Sequence, residues 1–187
     1  MELTEAIHRR RAYRSLDPAE IDEKLVRDLA EHAQLAASCF NNQPWRFVFV
    51  YDPEMLDKMK SVFSKGNEWC HYDSMIIAVF TKPDLDCQLK TRDYYLFDTG
   101  MAVAHLILRA TDLGLVAHPI AGYSESKVKE ILGIPDDMRV ITLINVGKHR
   151  EEMREVLSDR QRKDEQKRPE RKPFDEFAYI DKYTGEK

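Results

Sequence analysis

The sequence predicts a single domain in which helices and strands share one core. Its 187 residues are 43% hydrophobic and 33% charged, a composition typical of a globular domain of this length. Stretches with helical periodicity alternate with three segments rich in β-branched and aromatic residues, at 46–51, 74–80 and 139–147. A strongly apolar helical stretch at 98–115 is the element around which we expect the others to pack.

The stretch 98–115 carries apolar residues on almost every face of the predicted helix. Its strongly polar interior positions, His105, Arg109 and Asp112, fall on one narrow stripe. It is too short and too interrupted by charge to span a membrane, which takes about 20 apolar residues. A helix that is apolar on several sides needs cover on several sides, so we expect a second copy of the chain to supply part of it. The alternative is an ordinary core helix of a monomer.

A cluster of arginines follows the first predicted helix, which covers residues 3–9 with Leu3 and Ile7 facing inward. The cluster places four arginines within six positions: Arg9, Arg10, Arg11 and Arg14. Like charges at this spacing repel one another unless an anion is present. The cluster is therefore either a solvated basic face or a clamp for a phosphate group, which guanidinium groups bind through charge-assisted hydrogen bonds.

Asp17 and Pro18 have the features of a helix start, with Asp17 as the N-cap and Pro18 at the first helical position. We expect this helix to run to about Ala37. A loop rich in short polar side chains, 38–45, then leads into the strand 46–51. Such a loop is either a place where amides and hydroxyls bind a planar ligand or a plain turn.

Two further elements precede the long helix. Asp52 and Pro53 begin a helix that extends to about residue 63, and the continuous apolar run 74–80 predicts a central strand. The segment 65–72 shows neither the periodicity of a helix nor that of a strand, so we expect a mobile loop with exposed aromatic residues over a site. Cys70 and His71 are adjacent there, but neighbours in sequence rarely bind the same ion, and no metal site is expected.

After the long helix, Pro119 and Gly122 mark 115–123 as an irregular stretch outside the strand ladder, able to present backbone N–H groups to a ligand. Ser124 caps a helix that ends at Gly133. Beyond residue 149 the charged composition predicts a mobile segment. Large apolar residues then return: Phe174, Phe177, Tyr179, Ile180 and Tyr183. We therefore expect the extension 150–187 to dock on a neighbouring subunit.

Charge and cysteine content argue against several classes of protein. The net charge of -4 disfavours nucleic acid as the main partner, because nucleic-acid-binding domains are usually strongly basic. Cys39, Cys70 and Cys87 are odd in number and lack C-x-x-C spacing, so neither a disulfide framework nor a zinc site is expected. With no secretory signal at the N-terminus, a reducing cytoplasmic location is expected.

Five motifs in the correct order resemble the FMN-dependent nitroreductase family, particularly its short members, and the resemblance covers nearly the whole chain. They are R-R-x-x-R as Arg10, Arg11 and Arg14, the loop P-S-S-x-N-x-Q-P-W as 37–45, L-G-L as 113–115, P-I-x-G-[FY] as 119–123, and R-K-P as 171–173. The resemblance implies an α+β fold with a mixed, mainly antiparallel sheet flanked by helices. It also implies a homodimer with FMN at the interface and an exchanged C-terminal extension.

The resemblance implies a role for each group of site residues. Arginines would hold the FMN phosphate and the polar edge of the ring: Arg10, Arg11, Arg14 and Arg171. Ser38 and Asn41 would contact the ribityl chain and ring edge, and the backbone N–H groups of Ala121 and Gly122 would face flavin N5 and O4. The motifs also place five more residues in the cofactor site: Ala12, Ala37, Cys39, Pro119 and Ile120. Ala12, Ala37 and Cys39 depart from the usual Ser, Pro and Ser, which we expect to be tolerated with lower FMN affinity.

By the same resemblance the chain would be an oxidoreductase in which flavin N5 carries the chemistry, which explains why no catalytic side-chain pair or metal cluster is found. NAD(P)H would bind transiently and a nitroaromatic, quinone or similar acceptor would follow in a ping-pong mechanism. The absence of G-x-G-x-x-G agrees with a nicotinamide that is a substrate. The alternatives are other flavin chemistry on the same fold, decided by the loop 64–72, or a non-enzymatic module that binds nucleic acid or an acidic protein through residues 9–14.

Overall fold

The computed structural model describes residues 1–185 and has a five-stranded antiparallel sheet with helices on both faces. The helices are α1 (Leu3–Arg9), α2 (Glu23–Gln34), α3 (Pro53–Met59), α4 (Tyr95–Asp112), α5 (Glu125–Leu132) and α6 (Asp159–Gln166). The strands are β1 (Leu16–Asp17), β2 (Arg46–Val50), β3 (Met75–Thr81), β4 (Gln88–Leu89), β5 (Arg92–Asp93), β6 (Val116–Ile120) and β7 (Arg139–His149). The α+β class expected from the sequence is confirmed.

The sheet has the order β1-β7-β3-β2, with β6 also paired to β7. Ile77 of β3 lies opposite Phe49 of β2 on one side and Ile144 of β7 on the other. Residues 75–79 of β3 are buried throughout, because helices cover both faces of the sheet there. The prediction of a central strand at 74–80 is therefore confirmed. The hairpin formed by β4 and β5 was not predicted.

Two hydrophobic clusters lie on opposite faces of the sheet. One contains α2 and α4, where Leu29 and Leu106 are fully buried against Ile77, and the other contains α3 and α5, where Met59 and Val128 are fully buried. An ion pair between Arg109 and Asp28, at an N···O distance of 2.8 Å, joins α4 to α2. The polar stripe of the long helix therefore serves to bind its neighbour. None of the described helices is long and apolar enough to cross a membrane.

The second helix begins later than predicted. Its N-cap is Asp22, whose carboxylate accepts a hydrogen bond from the N–H of Leu25 at 2.7 Å. Asp17 lies instead in β1, opposite Lys148 of β7, because the buried Leu16 beside it holds this segment on the sheet. The helix ends at Gln34, before the predicted end at Ala37. Asp17 and Pro18 are suitable residue types for a helix start, but the pairing of β1 with the distant strand β7 keeps this segment out of the helix.

Two segments that were expected to be irregular are ordered parts of the core. The segment 68–72 forms a 3-10 turn in which Trp69 is 1% exposed and stacks on His118, so its predicted exposure is wrong. The stretch 116–120 is the ladder strand β6, in which Pro119 lies opposite Ile144. Proline is accommodated because β6 is an edge strand in the described part of the chain.

The charged tail first folds back on its own chain. Ser158 and Gln161 form a capping box that begins α6, and Leu157 is buried, so the predicted mobility of this segment is wrong. The aromatic stretch beyond it remains exposed, with Phe174 and Phe177 exposed by 62% and 64%. Leu3 and Ile7 are also exposed, contrary to the prediction that they face inward. Residues 186–187 of the predicted extension lie outside the described residues.

Candidate functional site

Arginines from both ends of the chain converge on one cavity, which we call the basic pocket. The cavity has a volume of about 120 Å³ and is lined by Arg10, Arg11, Ala12, Arg14, Asp164, Arg168, Pro169 and Arg171. Five of the members predicted from the sequence therefore lie together: Arg10, Arg11, Ala12, Arg14 and Arg171. The structure adds Arg168, which no sequence signal distinguished from the other charges of the tail.

The end of α6 holds the first part of the basic pocket in place. The buried carboxylate of Glu165 accepts hydrogen bonds from the backbone N–H groups of Arg14, at 2.5 Å, and Ser15, at 3.4 Å. The Nη2 atom of Arg11 donates to the carbonyl oxygen of Asp164 at 2.6 Å. These contacts fix the backbone from which Arg10 and Arg14 project. Sequence analysis missed Glu165, because a buried glutamate in a charged run has no distinguishing pattern.

Arg168 ties the tail to the first helix. Its Nη2 atom donates to the carbonyl oxygens of His8 at 2.5 Å and Arg10 at 2.8 Å. Arg171, three residues further on, is exposed and donates to the carbonyl of Pro169 at 3.1 Å. The guanidinium groups of the tail are therefore held beside the arginines of the N-terminus by the backbone rather than by acidic side chains.

The basic pocket holds more positive charge than its own acids neutralise. Arg14 faces the carboxylate of Asp164 at 3.7 Å. Burial lowers the pKa of Arg10, and the nearby charges of Arg168, Arg171 and Arg11 lower it further. Among residues 1–185, the half-buried guanidinium of Arg10 has no hydrogen-bonded acceptor. An anion would supply both the missing acceptor and the missing negative charge.

His118 lies beneath the same arginines and is buried. Its ring stacks on Trp69 with centroids 4.7 Å apart, and its Nδ1 atom lies 3.0 Å from the carbonyl oxygen of Tyr13. Burial, with the charges of Arg14 and Arg10, lowers the pKa of His118 to about 4, despite the opposing hydrogen bond to Tyr13. The imidazole is therefore neutral at pH 7 and donates to the segment that carries the arginines.

The predicted ligand loop after α2 is anchored to the start of α4. The backbone N–H of Cys39 donates to Asp98 at 2.6 Å, and the hydroxyl of Ser38 accepts from the N–H of Gln43 at 3.0 Å. Cys39 forms a disulfide with Cys87, so the expectation that the cysteines are unpaired is wrong. The partners are 48 residues apart, and their proximity arises from the folding of 86–88 against this loop, which cysteine spacing cannot reveal. Ala37 and Asn41 are exposed.

The third predicted group follows the end of β6. Pro119 and Ala121 are exposed, Ile120 is half-buried, and the carbonyl of Gly122 accepts hydrogen bonds from Ser64 N and Asn67 Nδ2, each at 2.9 Å. A Cβ atom at Gly122 would lie 2.2 Å from Asn67 Nδ2, so a larger residue there would displace the Asn67 amide that donates to this carbonyl. Within residues 1–185, neither the group 119–122 nor the loop 37–41 is hydrogen-bonded to the arginines of the basic pocket.

Comparison with known proteins gives consistent results. The profile described as Nitroreductase family matches residues 7–69 and 73–148, more than half of the chain. A protein of Archaeoglobus fulgidus with the provisional name NADH dehydrogenase/NAD(P)H nitroreductase is 29% identical over 155 residues, covering 81% of this chain and 87% of its own.

Solved structures show the same fold. A nitroreductase family protein from Clostridium novyi NT superposes with a TM-score of 0.73 at 28% identity, over 98% of this chain and 96% of its own. A protein from Exiguobacterium sibiricum, provisionally named a nitroreductase and solved in complex with FMN, gives a TM-score of 0.70 at 23% identity over 82% of this chain and 93% of its own. The profile match, the sequence relative and the shared fold agree with the order of the motifs, and the chain belongs to the nitroreductase family.

Proposed function

We propose that this protein is an FMN-dependent oxidoreductase that uses NAD(P)H to reduce nitroaromatic, quinone or similar electrophilic acceptors. The observation that carries the proposal is the half-buried guanidinium of Arg10, surrounded by arginines and lacking an acceptor among the described residues. A terminal phosphate matches this donor set, because it offers several acceptor oxygens and close to two negative charges. The FMN-containing relative from Exiguobacterium sibiricum supports the choice of phosphate ester.

The site would be completed by a second copy of the chain. One face of α4 carries exposed apolar side chains at Leu96 and Phe97, followed one turn later by the exposed Gly100 and then Ala104. An apolar helix face of this kind favours burial in a subunit interface. The exposed aromatic residues of the tail are suited to covering a neighbouring chain, as expected for the extension 150–187.

The uncovered face of α4 also borders the predicted ligand loop. Asp98, next to Phe97 in α4, accepts the hydrogen bond from Cys39, so the loop lies at the edge of the proposed interface. In a homodimer, Ser38 and Asn41 of one protomer could then face the basic pocket of its partner. This arrangement would bring together groups that a single chain keeps apart.

Bound FMN would supply the chemistry by accepting a hydride at N5 and passing two electrons to the acceptor. Arg10 and Arg171 would bind its phosphate, and Arg14 would stabilise negative charge at the N1–O2 edge of the ring. Backbone N–H groups of Ala121 and Gly122 would face N5 and O4. With these roles assigned to binding and orientation, the chain needs no catalytic acid or base. We also propose a cytoplasmic location, where NAD(P)H is available.

The proposal is tested with the purified full-length protein and added FMN. We expect tight binding with quenched flavin fluorescence, bleaching of the flavin absorbance by NADPH or NADH without oxygen, and return of the absorbance on addition of menadione or nitrofurazone. In the variant Arg10→Gln we expect FMN affinity to fall by roughly 10- to 100-fold, from the loss of charge-assisted bonds. Arg27→Gln is a matched control, because Arg27 pairs with Glu23 on the exposed face of α2.

Two results would contradict this function. Failure of the protein to bind FMN would show that FMN is not its cofactor. Equal FMN affinity of Arg10→Gln and wild type would show that the basic pocket does not bind FMN. Salt-dependent binding to DNA without FMN binding would instead favour a nucleic-acid partner.

A further inference from the structure

A covalent crosslink holds the predicted ligand loop against the segment that precedes α4. Cys39 lies in the loop 38–43, and its sulfur is bonded to that of Cys87, which follows Asp86. Both cysteines are half-buried and so within reach of small molecules in solution. The third cysteine, Cys70, is buried, and burial raises the pKa of its thiol, so it has little tendency to react.

The backbone of the crosslinked loop takes an unusual conformation. Phe40, Asn41 and Gln43 have φ angles of 48°, 59° and 49°, in the left-handed region that residues with a side chain seldom adopt. Three such residues within four positions persist only where surrounding contacts hold them. Phe40 is 88% exposed, so burial of its side chain does not provide that restraint.

The restraint comes from the contacts of the loop with 86–88 and with α4. Asn42 Nδ2 donates to Asp86 at 3.3 Å, and the N–H of Cys39 donates to Asp98 at 2.6 Å. Burial raises the pKa of Asp98 and the nearby carboxylate of Asp86 raises it further, while the hydrogen bond from Cys39 lowers it. The bonds of Asn42 and Cys39 thus form a junction between the loop, the segment 86–88 and α4. The disulfide is the covalent part of this junction.

We propose that the Cys39–Cys87 disulfide is an exchangeable redox site, whose reduction by a small dithiol or a dithiol protein releases the loop 38–43. A thiolate of the reductant attacks one sulfur, forms a mixed disulfide and displaces the other cysteine as a thiolate. The second thiol of the reductant then displaces the remaining cysteine and closes the disulfide of the reductant. Two electrons pass to the protein, and the two protons of the dithiol end on Cys39 and Cys87.

Release of the loop has a consequence for the cofactor, and this part rests on the proposed function. Ser38 and Asn41 lie in the loop, and they are the residues proposed to contact the ribityl chain and the ring edge. A loop no longer held in its left-handed conformation must be ordered again when FMN binds, which lowers affinity. The oxidised protein is therefore expected to bind FMN more tightly than the reduced protein.

The first measurement counts thiols in the native, full-length protein by alkylation and mass spectrometry. We expect no rapidly labelled cysteine after incubation with diamide, and two, Cys39 and Cys87, after incubation with dithiothreitol. Rapid labelling of both cysteines after diamide treatment would overturn the proposal, as would their failure to become labelled after dithiothreitol.

The second measurement follows amide hydrogen exchange in a peptide that spans 38–43. Reduction should accelerate exchange there by about tenfold or more, and reoxidation with diamide should restore the slow rate. Cys87→Ser and Cys87→Ala should show the fast rate before and after reduction, without an effect of dithiothreitol. Equal rates in oxidised and reduced wild type would overturn the proposal.

The third measurement connects the crosslink to the cofactor. FMN affinity, followed by flavin fluorescence, should fall by about tenfold on reduction of the wild type and should not respond to dithiothreitol in Cys87→Ser. Unchanged FMN affinity would overturn the link to the cofactor. Thiol labelling and amide exchange need no flavin, so they decide the redox site even if the protein proves not to bind FMN.

Discussion

The carboxylate of Glu165 accepts a hydrogen bond from the backbone N–H of Arg14 at 2.5 Å, across 151 residues of sequence. This contact joins α6, in the charged tail, to the segment that supplies three of the pocket arginines. The same carboxylate accepts from Ser15, so one buried side chain satisfies two backbone donors. The tail of the protein therefore positions the arginine-bearing segment of its N-terminus.

Replacement of Glu165 should weaken both the fold and the anion site. Glu165→Ala leaves two backbone donors without their acceptor, and we expect the free energy of unfolding to fall by about 1.5–3 kcal/mol. Chemical denaturation measures this loss, and a phosphate titration measures the accompanying loss of anion affinity. Glu170→Ala is the control, because the side chain of Glu170 is 89% exposed and pairs only weakly with Lys167. Equal behaviour of the two variants would show that Glu165 does not position the pocket.

Removal of one tail arginine should have opposite effects on the stability of the folded protein with and without an anion. Arg171→Gln takes away a charge that disfavours the charged form of Arg10, so without phosphate we expect stability to rise slightly, by up to about 0.5 kcal/mol. The increase in Tm that inorganic phosphate gives the wild type should be reduced in this variant. Lys172→Gln removes the neighbouring charge outside the pocket lining and should keep the phosphate response. A full phosphate response in Arg171→Gln would exclude Arg171 from the site.

Stability should fall between pH 7 and pH 5 because of His118. Its pKa in the folded protein, about 4, lies below the ordinary value of 6.5, so the unfolded chain binds the proton more readily. The stabilising contribution is complete above pH 6.5 and declines as the pH falls towards 4. We expect a loss of about 2 kcal/mol between pH 7 and pH 5.

Urea unfolding of His118→Asn at the same two pH values checks this prediction. The amide of asparagine can donate to the Tyr13 carbonyl but does not titrate, so the His118 part of the loss should disappear. His71→Asn is the control, since His71 is exposed. The same loss in wild type and His118→Asn would assign the pH dependence to other groups.

The uncovered face of α4 should be required for dimerisation. Phe97 is 62% exposed in the single chain, and Phe97→Glu would place a charge in the proposed interface. We expect sedimentation to show a dimer for the wild type and a monomer for the variant, with a loss of FMN binding of roughly 10-fold or more if both protomers form the site. Tyr51→Glu is the control, because it introduces the same charge at an exposed aromatic residue outside α4. A monomeric wild type, or a dimeric Phe97→Glu, would contradict the proposed interface.

Signals confined to a few neighbouring residues predicted local structure correctly. The caps at Asp52 and Ser124 and the C-terminal Gly133 lie where the sequence placed them, because each cap is made by a side chain or φ angle within a few residues of the helix end. The strand β3 was recognised from its continuous apolar content, which reflects burial on both faces, and β7 was recognised from its β-branched residues. The order of the family motifs also identified the N-terminal arginines and Arg171 as one group.

The tertiary structure decided which distant residues share an environment. It placed Asp17 on the sheet, Trp69 against His118, and Cys39 beside Cys87, although local pattern indicated otherwise in each case. It also made Arg168 a member of the basic pocket and Glu165 the anchor of the backbone behind it, since α6 folds back along the N-terminal segment. Burial, pairing and charge repulsion depend on neighbours far apart in sequence, so they become visible only when the chain is folded.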